Sequence, residues 1–594
     1  MQNKATDSRT LHGRQTVRWQ GPAGILLACL ATVLGGCPAG PTYQRPTPTC
    51  TTATDCPNHQ VCSLDGYCYE QIPSDMKIAV ELVPKQTVKD GGDTLVQVEF
   101  PPATVTPDTD GTVTMVYPDP IQLTGSVTVT ATAIKQFDFV SFEAKVTLWR
   151  PSRIPGRPRV SYTATLGFDV ANPTTSPDQN VSFQIAVPPG TGYSARISPL
   201  GYFEDVFPPM LLTGLSLAKD GQLSVTFGQQ NQFREVTGQA VDAMGQPTAG
   251  VLAYLVDADG NRVSTQSAPT STNGRFSFTT TNKSGTFTLI LESATEDTVI
   301  PKLSFPVELL MEDESETELG IFSYPVLRTP CQYRYRVMGA SPSGTQESVA
   351  GAIARFQTDI TMEQGQATYE TMATADTNGT LTAKLFPGTS TESITYKVTI
   401  LPPVDSPYGL SSKDLEVSQC SGVGPDLVLE PRISITGTVY SDLGGTTPNV
   451  QVNARPSLDI SPELAVFLDS QGYSISTTTS SDGQFNLNLD PGTYDLELTP
   501  PKGAHLPKWI VTNLNVDSGN APHSMNVTIP TPTIFMGRVV TSTSKPLHDM
   551  SVRVYLVKDE CSGSRDDCTD QTAYLLGQSD LDQDGFFQVL LPRP

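Results

Sequence analysis

Residues 479–498 read TSSDGQFNLNLDPGTYDLEL. The pair Asp482-Gly483 is a tight-turn dipeptide, and it opens a run in which Phe485, Leu487 and Leu489 alternate with polar residues. Pro491-Gly492 then opens a second run of the same period, Tyr494, Leu496 and Leu498. Alternation of period two puts the apolar side chains on one face of a strand. The stretch therefore predicts two strands, each with one buried face, in a β-sandwich.

The same signals recur along the chain. TSTNGRFSF begins at 270, and VPPGTGYSARI at 187 and KSGTFTLIL at 283 repeat the second turn and strand. Ahead of them lie IQLTGSVTV at 121, REVTGQAVD at 234, CQYRYRVMG at 331, ISITGTVYS at 433 and TIFMGRVVT at 533. The slots held by Gly125, Gly238, Tyr335, Gly437 and Gly537 lie 113, 97, 102 and 100 residues apart. A repeat of that length is one sandwich per unit.

Composition agrees. The 594 residues include 47 Gly and 49 Pro but only 17% charged residues, a chain of strands and turns rather than of helices with charged faces. Its net charge of −23 excludes binding to the phosphate backbone of nucleic acid, which needs Lys and Arg.

The repeats resemble the carboxypeptidase regulatory-like family, whose transthyretin-like sandwiches have about seven strands. The match is good over 233–320 and 432–530, within units bounded at 233–330 and 432–532, fair over 121–232, and weaker over 331–431, where Tyr335 replaces the glycine. That resemblance implies topology and no catalytic activity. The fold expected is all-β, with tandem seven-stranded transthyretin/Ig-like sandwiches behind a small disulfide-rich module. Two segments hold only part of a unit: 76–120 reads like the last three strands, and 533–594 like the first four. Either the C-terminal unit is truncated, or one molecule's N-terminal half completes another's C-terminal half in head-to-tail self-association.

The front of the chain reads as an export signal. Lys4, Arg9, Arg14 and Arg18 precede an apolar run too short to span a bilayer, ending in Leu34-Gly35-Gly36-Cys37. This resembles the lipobox of bacterial lipoproteins, which implies a signal peptide over 1–36, lipidation of Cys37 and a membrane anchor. Pro38 stands where an aspartate would imply inner-membrane retention in that family, so an outer-membrane lipoprotein of the cell envelope is expected. Loss of residues 1–36 leaves the mature chain near about −26, and residues 37–49 form a Pro/Thr tether.

Cys50, Cys56, Cys62 and Cys68, within a module at 50–70, are evenly spaced and imply two disulfides with three possible connectivities. A zinc site is disfavoured because the spacings lack the two-residue loops that wrap the metal. The module resembles the Dickkopf N-terminal repeat. Cys331 and Cys420 lie at opposite ends of one unit and are expected to pair, as are Cys561 and Cys568, leaving no thiol for catalysis.

Chemistry is otherwise sparse. His59, His505, His523 and His548 have no metal-ligand spacing, and no H-E-x-x-H, G-x-S-x-G or phosphate-cradling glycine loop occurs. Asp580, Asp582, Asp584 and Gly585 begin like a calcium loop, but Leu591 stands where its closing glutamate belongs, so turn chemistry is the better reading. Asp108–Gly111 and Asp257–Gly260 read the same way. No metal, cofactor or enzymatic activity is expected. The loop WRPSRIPGRPR at 149–159 gathers Trp149, Arg150, Arg153, Arg157 and Arg159, suited to a carboxylate, a phosphate or a sugar ring. Its bland reading is a solvated hairpin tip with a core tryptophan. In YRYR, 333–336, Tyr and Arg alternate between the two faces of a strand. The function expected is a membrane-anchored structural, adhesive or protein-interaction role; the alternative is a carbohydrate-binding receptor for anionic glycans, or an accessory subunit contacting envelope proteins.

Overall fold

The computed structural model describes residues 50–593 except for short internal stretches, the longest being 457–474 and 560–570. Cys37, Cys561 and Cys568 lie outside the described residues. The described chain is almost entirely strand, with one short α-helix at Ala131–Phe137.

Each repeat is built around its first strand, which sits between an antiparallel neighbour and the unit's parallel last strand. Ile433–Ser441 pairs in this way with Gln484–Leu489 and Ser524–Ile529. Phe233–Val241 does so with Arg275–Thr281 and Glu316–Ser323, and Ile121–Val129 with Gln179–Val187 and Gln222–Phe227. In the unit at 331–429 the corresponding partners of Cys331–Ala340 are Thr380–Leu385 and Leu427–Leu429. A second sheet covers the apolar face of the first. In the 433–529 unit its order is Ile475–Thr478, Gln451–Pro456, Gly492–Thr499, Trp509–Val516. The alternating residues quoted first are core: Phe485, Leu487, Leu489, Tyr494, Leu496 and Leu498 are buried together.

The recurring glycine has a packing reason. Gly125, Gly238, Gly437 and Gly537 stand directly across the ladder from Phe183, Phe276, Phe485 and Phe587. A Cβ on these glycines would meet the ring at 2.2, 2.4, 2.6 and 2.6 Å, inside van der Waals contact. In the 331–429 unit the pair is exchanged: Tyr335 fills the glycine slot, and Leu381 stands opposite it where the others have phenylalanine. One aromatic ring still fills the layer, supplied from the other strand, and Gly424 leaves room for it. Tyr335→Gly therefore empties a fully buried site and should cost about 3–5 kcal/mol. Adding Leu381→Phe should return most of that in a thermal melt; if the double variant is no more stable than the single one, the exchange is not the reason for the missing glycine.

The two incomplete segments meet. Lys77–Pro84 runs antiparallel to Met550–Asp559, from Ile78 opposite Leu556 to Pro84 opposite Met550. Thr112–Tyr117 runs parallel to Pro532–Thr541, Met536 opposite Thr112. One sheet has the order Gln571–Asp580, Met550–Asp559, Lys77–Pro84, Val98–Thr104, and Phe586–Pro592 pairs with Pro532–Thr541 in the other. This is the strand order of the 433–529 unit, divided between its fourth and fifth strands. Ile78, Val80, Leu82, Val98 and Tyr117 from the front share one core with Val539, Val552, Val554, Phe587 and Val589 from the back. Both expectations raised by the half-units are thereby corrected. The C-terminal unit is a whole sandwich, and its missing strands come from the same chain rather than from a second molecule. Among the described residues the five sandwiches form a closed cycle.

Neighbouring units are joined by distinct contacts. The 233–323 and 331–429 units share a seven-stranded sheet, in which Lys302–Leu309 pairs with Gln366–Thr374. Between the 331–429 and 433–529 units, Arg432 and Asp490 form an almost fully buried ion pair at 3.2 Å.

Candidate functional site

The arginine-rich loop forms the junction that holds the cycle closed. It links Ser141–Arg150 to Val160–Asp169, with Arg150 opposite Val160 at its mouth. Instead of projecting into solvent, it lies on the outer face of the closing sandwich. Ile154 at its tip is buried with Ala79 from the front segment and with Tyr555 and Val557 from the back.

Two buried carboxylates receive the loop. Glu81 is 0% exposed and accepts from the Tyr555 hydroxyl at 2.7 Å. Its Oε2 also lies 3.4 Å from Arg553 Nη1 and 3.7 Å from Arg157 Nη2. Arg157 lies over the Tyr555 ring at 5.3 Å. Glu99, 2% exposed, accepts from Ser152 Oγ at 2.6 Å and from the Arg153 backbone N–H at 2.8 Å. Buried carboxylates are costly unless paired and hydrogen-bonded; Glu99 obtains its partners from the loop, and Glu81 from the loop, from the back segment and from the amide of Gln97 on its own front segment. Burial first, and Glu81 second, push the Tyr555 phenol well above its ordinary pKa, so it stays protonated and donates.

Of the residues expected to form a ligand site, Arg157 alone turns its side chain to this junction, and Arg153 joins it through its backbone. Arg150 is 4% exposed and lies over the Tyr193 ring at 5.5 Å. Arg159 lies over Trp149 at 4.7 Å. Arg153, Arg157 and Arg159 remain exposed. Neither Glu81 nor Tyr555 stood out in the sequence: each is one residue of an ordinary strand pattern, and their meeting depends on a pairing between the two ends of the chain.

The cysteine module caps the same seam. Of its three possible connectivities, the structure has Cys50–Cys62 and Cys56–Cys68. Cys331–Cys420 is also bonded, as expected. Cys68–Gln71 adds in parallel to the start of Pro532–Thr541, and Val61, Tyr67 and Tyr69 bury against Ile534 and Met536. His505 reaches the module from the 433–529 unit. Its Nδ1 lies 2.7 Å from the Tyr69 hydroxyl and 2.9 Å from Asp65 Oδ2, with its ring 4.0 Å from that of Tyr67. Arg593 Nη1 pairs with Glu70 at 3.0 Å, tying the last described residue to the module.

The aspartate loops are turns. Asp582 Oδ1 accepts from the backbone N–H groups of Asp584 and Phe586 at 2.9 and 2.8 Å, and Gly585 has φ +78°. Asp257 does the same for Asp259 and Asn261 at 3.0 and 2.8 Å. Asp108 and Asp110 lie outside the described residues. In YRYR, Tyr333 and Tyr335 point into the core and Arg334 and Arg336 outward.

The class defined by these features is an all-β chain of tandem sandwiches, each of six to eight strands among the described residues, closed through a shared sandwich and carrying a disulfide-rich module on the seam. No family model matches the chain, and no curated protein matches it. Among solved structures it is similar to a streptococcal ancillary pilin, at 12% identity and TM-score 0.21, over 52% of this chain and 99% of that one. It is also similar to the Bacillus anthracis TIE protein, at 12% identity and TM-score 0.16, over 66% and 68% of the two chains. BcpA, the major pilin subunit of Bacillus cereus, gives 12% identity and TM-score 0.14 over 50% and 99%.

Proposed function

We propose that this chain is a membrane-anchored structural protein of the cell envelope, held by lipid on Cys37 and presenting the closed cycle of sandwiches for contact with other envelope components. The observation that supports the reading best is the shared sandwich. Cys37 precedes a module that packs on this sandwich, and the C-terminal segment returns to the same place. The cysteine module and both ends of the array are gathered at one point, an arrangement suited to bearing load and presenting surface. A fold whose ends are fastened to each other opens less readily at its termini, where fraying ordinarily begins.

The outer membrane is the proposed location. The test is metabolic labelling with an alkyne fatty acid, followed by membrane fractionation. The native chain should take the label and sediment with membranes, and Cys37→Ser should lose the label and appear in the soluble fraction. Equal labelling of both would remove the anchor. Protease treatment of intact cells then distinguishes a surface-facing array, cleaved without lysis, from a periplasmic one.

A further inference from the structure

We propose that the junction between the 121–227 and 233–323 units is a binding site for a carboxylate carried on a small ring, such as a uronic acid, with Arg196 and Arg262 as its recognition groups. A cavity of about 200 Å³ lies there, lined by Arg196, Ser198, Leu200, Glu204, Phe207 and Arg262. That volume suits a single sugar-sized group, since sites for larger organic ligands run from about 300 Å³ upward.

The Arg196 guanidinium in this cavity is incompletely hydrogen-bonded. Arg196 projects from Gly190–Pro199, and its Nη2 donates to the Arg262 carbonyl at 2.9 Å. Its Nε is buried and has no hydrogen-bond partner among the described residues. Burial lowers the Arg196 pKa, and the neighbouring charges of Arg262 and Arg159 lower it further. Asp257 and Glu204 oppose that shift, Asp257 with a carboxylate that also accepts from the backbone N–H groups of Asp259 and Asn261 and from the Asn261 amide. Glu204 lines the cavity and lies 3.5 Å from Arg262 Nη2, with its side chain 44% exposed. It is a loosely held internal carboxylate, which an incoming one can displace.

A guanidinium lining a cavity gains a charge-assisted hydrogen bond when a carboxylate arrives, and its planar fork suits a carboxylate. Leu200, Phe207, Pro199 and Pro209 also line the cavity, and such apolar groups suit the carbon face of a ring. Tyr202 is on the same short turn as Glu204 and is 64% exposed. On a chain of net charge −23, a convergence of arginines around a cavity is a local exception that surface solubility does not require.

The proposal goes beyond the anchoring role and stands or falls separately from it. It is tested on the full mature chain by calorimetric titration with glucuronate, with glucose and with inorganic phosphate. Glucuronate should bind saturably and glucose should not. Arg196→Met, which keeps the aliphatic stem, should weaken glucuronate binding at least about tenfold, as loss of a charge-assisted pair does. Glu204→Gln should strengthen it several-fold by removing the competing carboxylate. That gain keeps the idea testable should the arginine variant misfold, because a purely structural arginine gives no such effect. Absence of glucuronate binding, binding unaffected by both substitutions, or binding of phosphate in its place would each overturn the assignment.

Discussion

A chain beginning at residue 121 loses the fold of its last 60 or so residues, while the four sandwiches before them stay intact. Hydrogen exchange read by mass spectrometry should show the amides of 532–593 almost unprotected and those of the middle units unchanged. The reason is the shared core. Removing the front segment takes away Ile78, Val80, Leu82, Val98 and Tyr117, each buried against the back half. At about 1.5–3 kcal/mol for each fully buried large apolar side chain, the loss is on the order of 10 kcal/mol, comparable to the whole stability of a domain. It also strips Met550–Asp559 and Pro532–Thr541 of a ladder partner each. Reattaching residues 76–120 behind Arg593 should restore protection, because only Asp490 and Pro491 separate Leu489 from Gly492 at the corresponding point of the 433–529 unit. If the segment 532–593 keeps its protection without the front strands, the two halves are not one sandwich.

The second large effect lies in the loop junction. Arg157 and Arg553 are the charged partners of Glu81, which itself has no exposure to water. Replacing both by methionine should destabilise the closing sandwich by about 3 kcal/mol or more, since a buried carboxylate is left without a countercharge. Each single replacement should cost less, because the other arginine remains. Glu81→Leu added to the double variant should recover most of the loss, since an apolar group of similar volume no longer needs a partner. Denaturant melts of the four variants give the comparison. A double replacement that costs under about 1 kcal/mol would mean that the Tyr555 hydroxyl and the Gln97 amide alone satisfy Glu81.

What the sequence determined by itself was local in character. Phe485, Leu487 and Leu489 declared a strand because alternation is a property of consecutive residues, and the Asp-Gly and Pro-Gly turns bounded it for the same reason. The repeat followed, and with it the sandwich class and the sense that 76–120 and 533–594 were parts of a unit. Tyr335 was visible as a departure from the glycine slot, but its explanation was not, because Leu381 acquires meaning only once it stands across the ladder. Likewise Arg150 and Arg157 were legible as an unusual loop, yet no local pattern pointed to Glu81, Glu99 and Tyr555 beneath it.

Tertiary structure alone decided how the ends of the array are used. An exposed edge and an apolar face state only that something must cover them, and they carry no label for the partner. The entropic cost of closing a loop grows only with the logarithm of its length, so four folded units between Tyr117 and Pro532 do not forbid the pairing. Once those units return the chain to its start, the cheapest cover for each half is the other half of the same molecule. The same holds for the cysteine module, whose even spacing allows three connectivities and whose seat on Ile534 and Met536 follows from a sheet edge supplied more than 400 residues away.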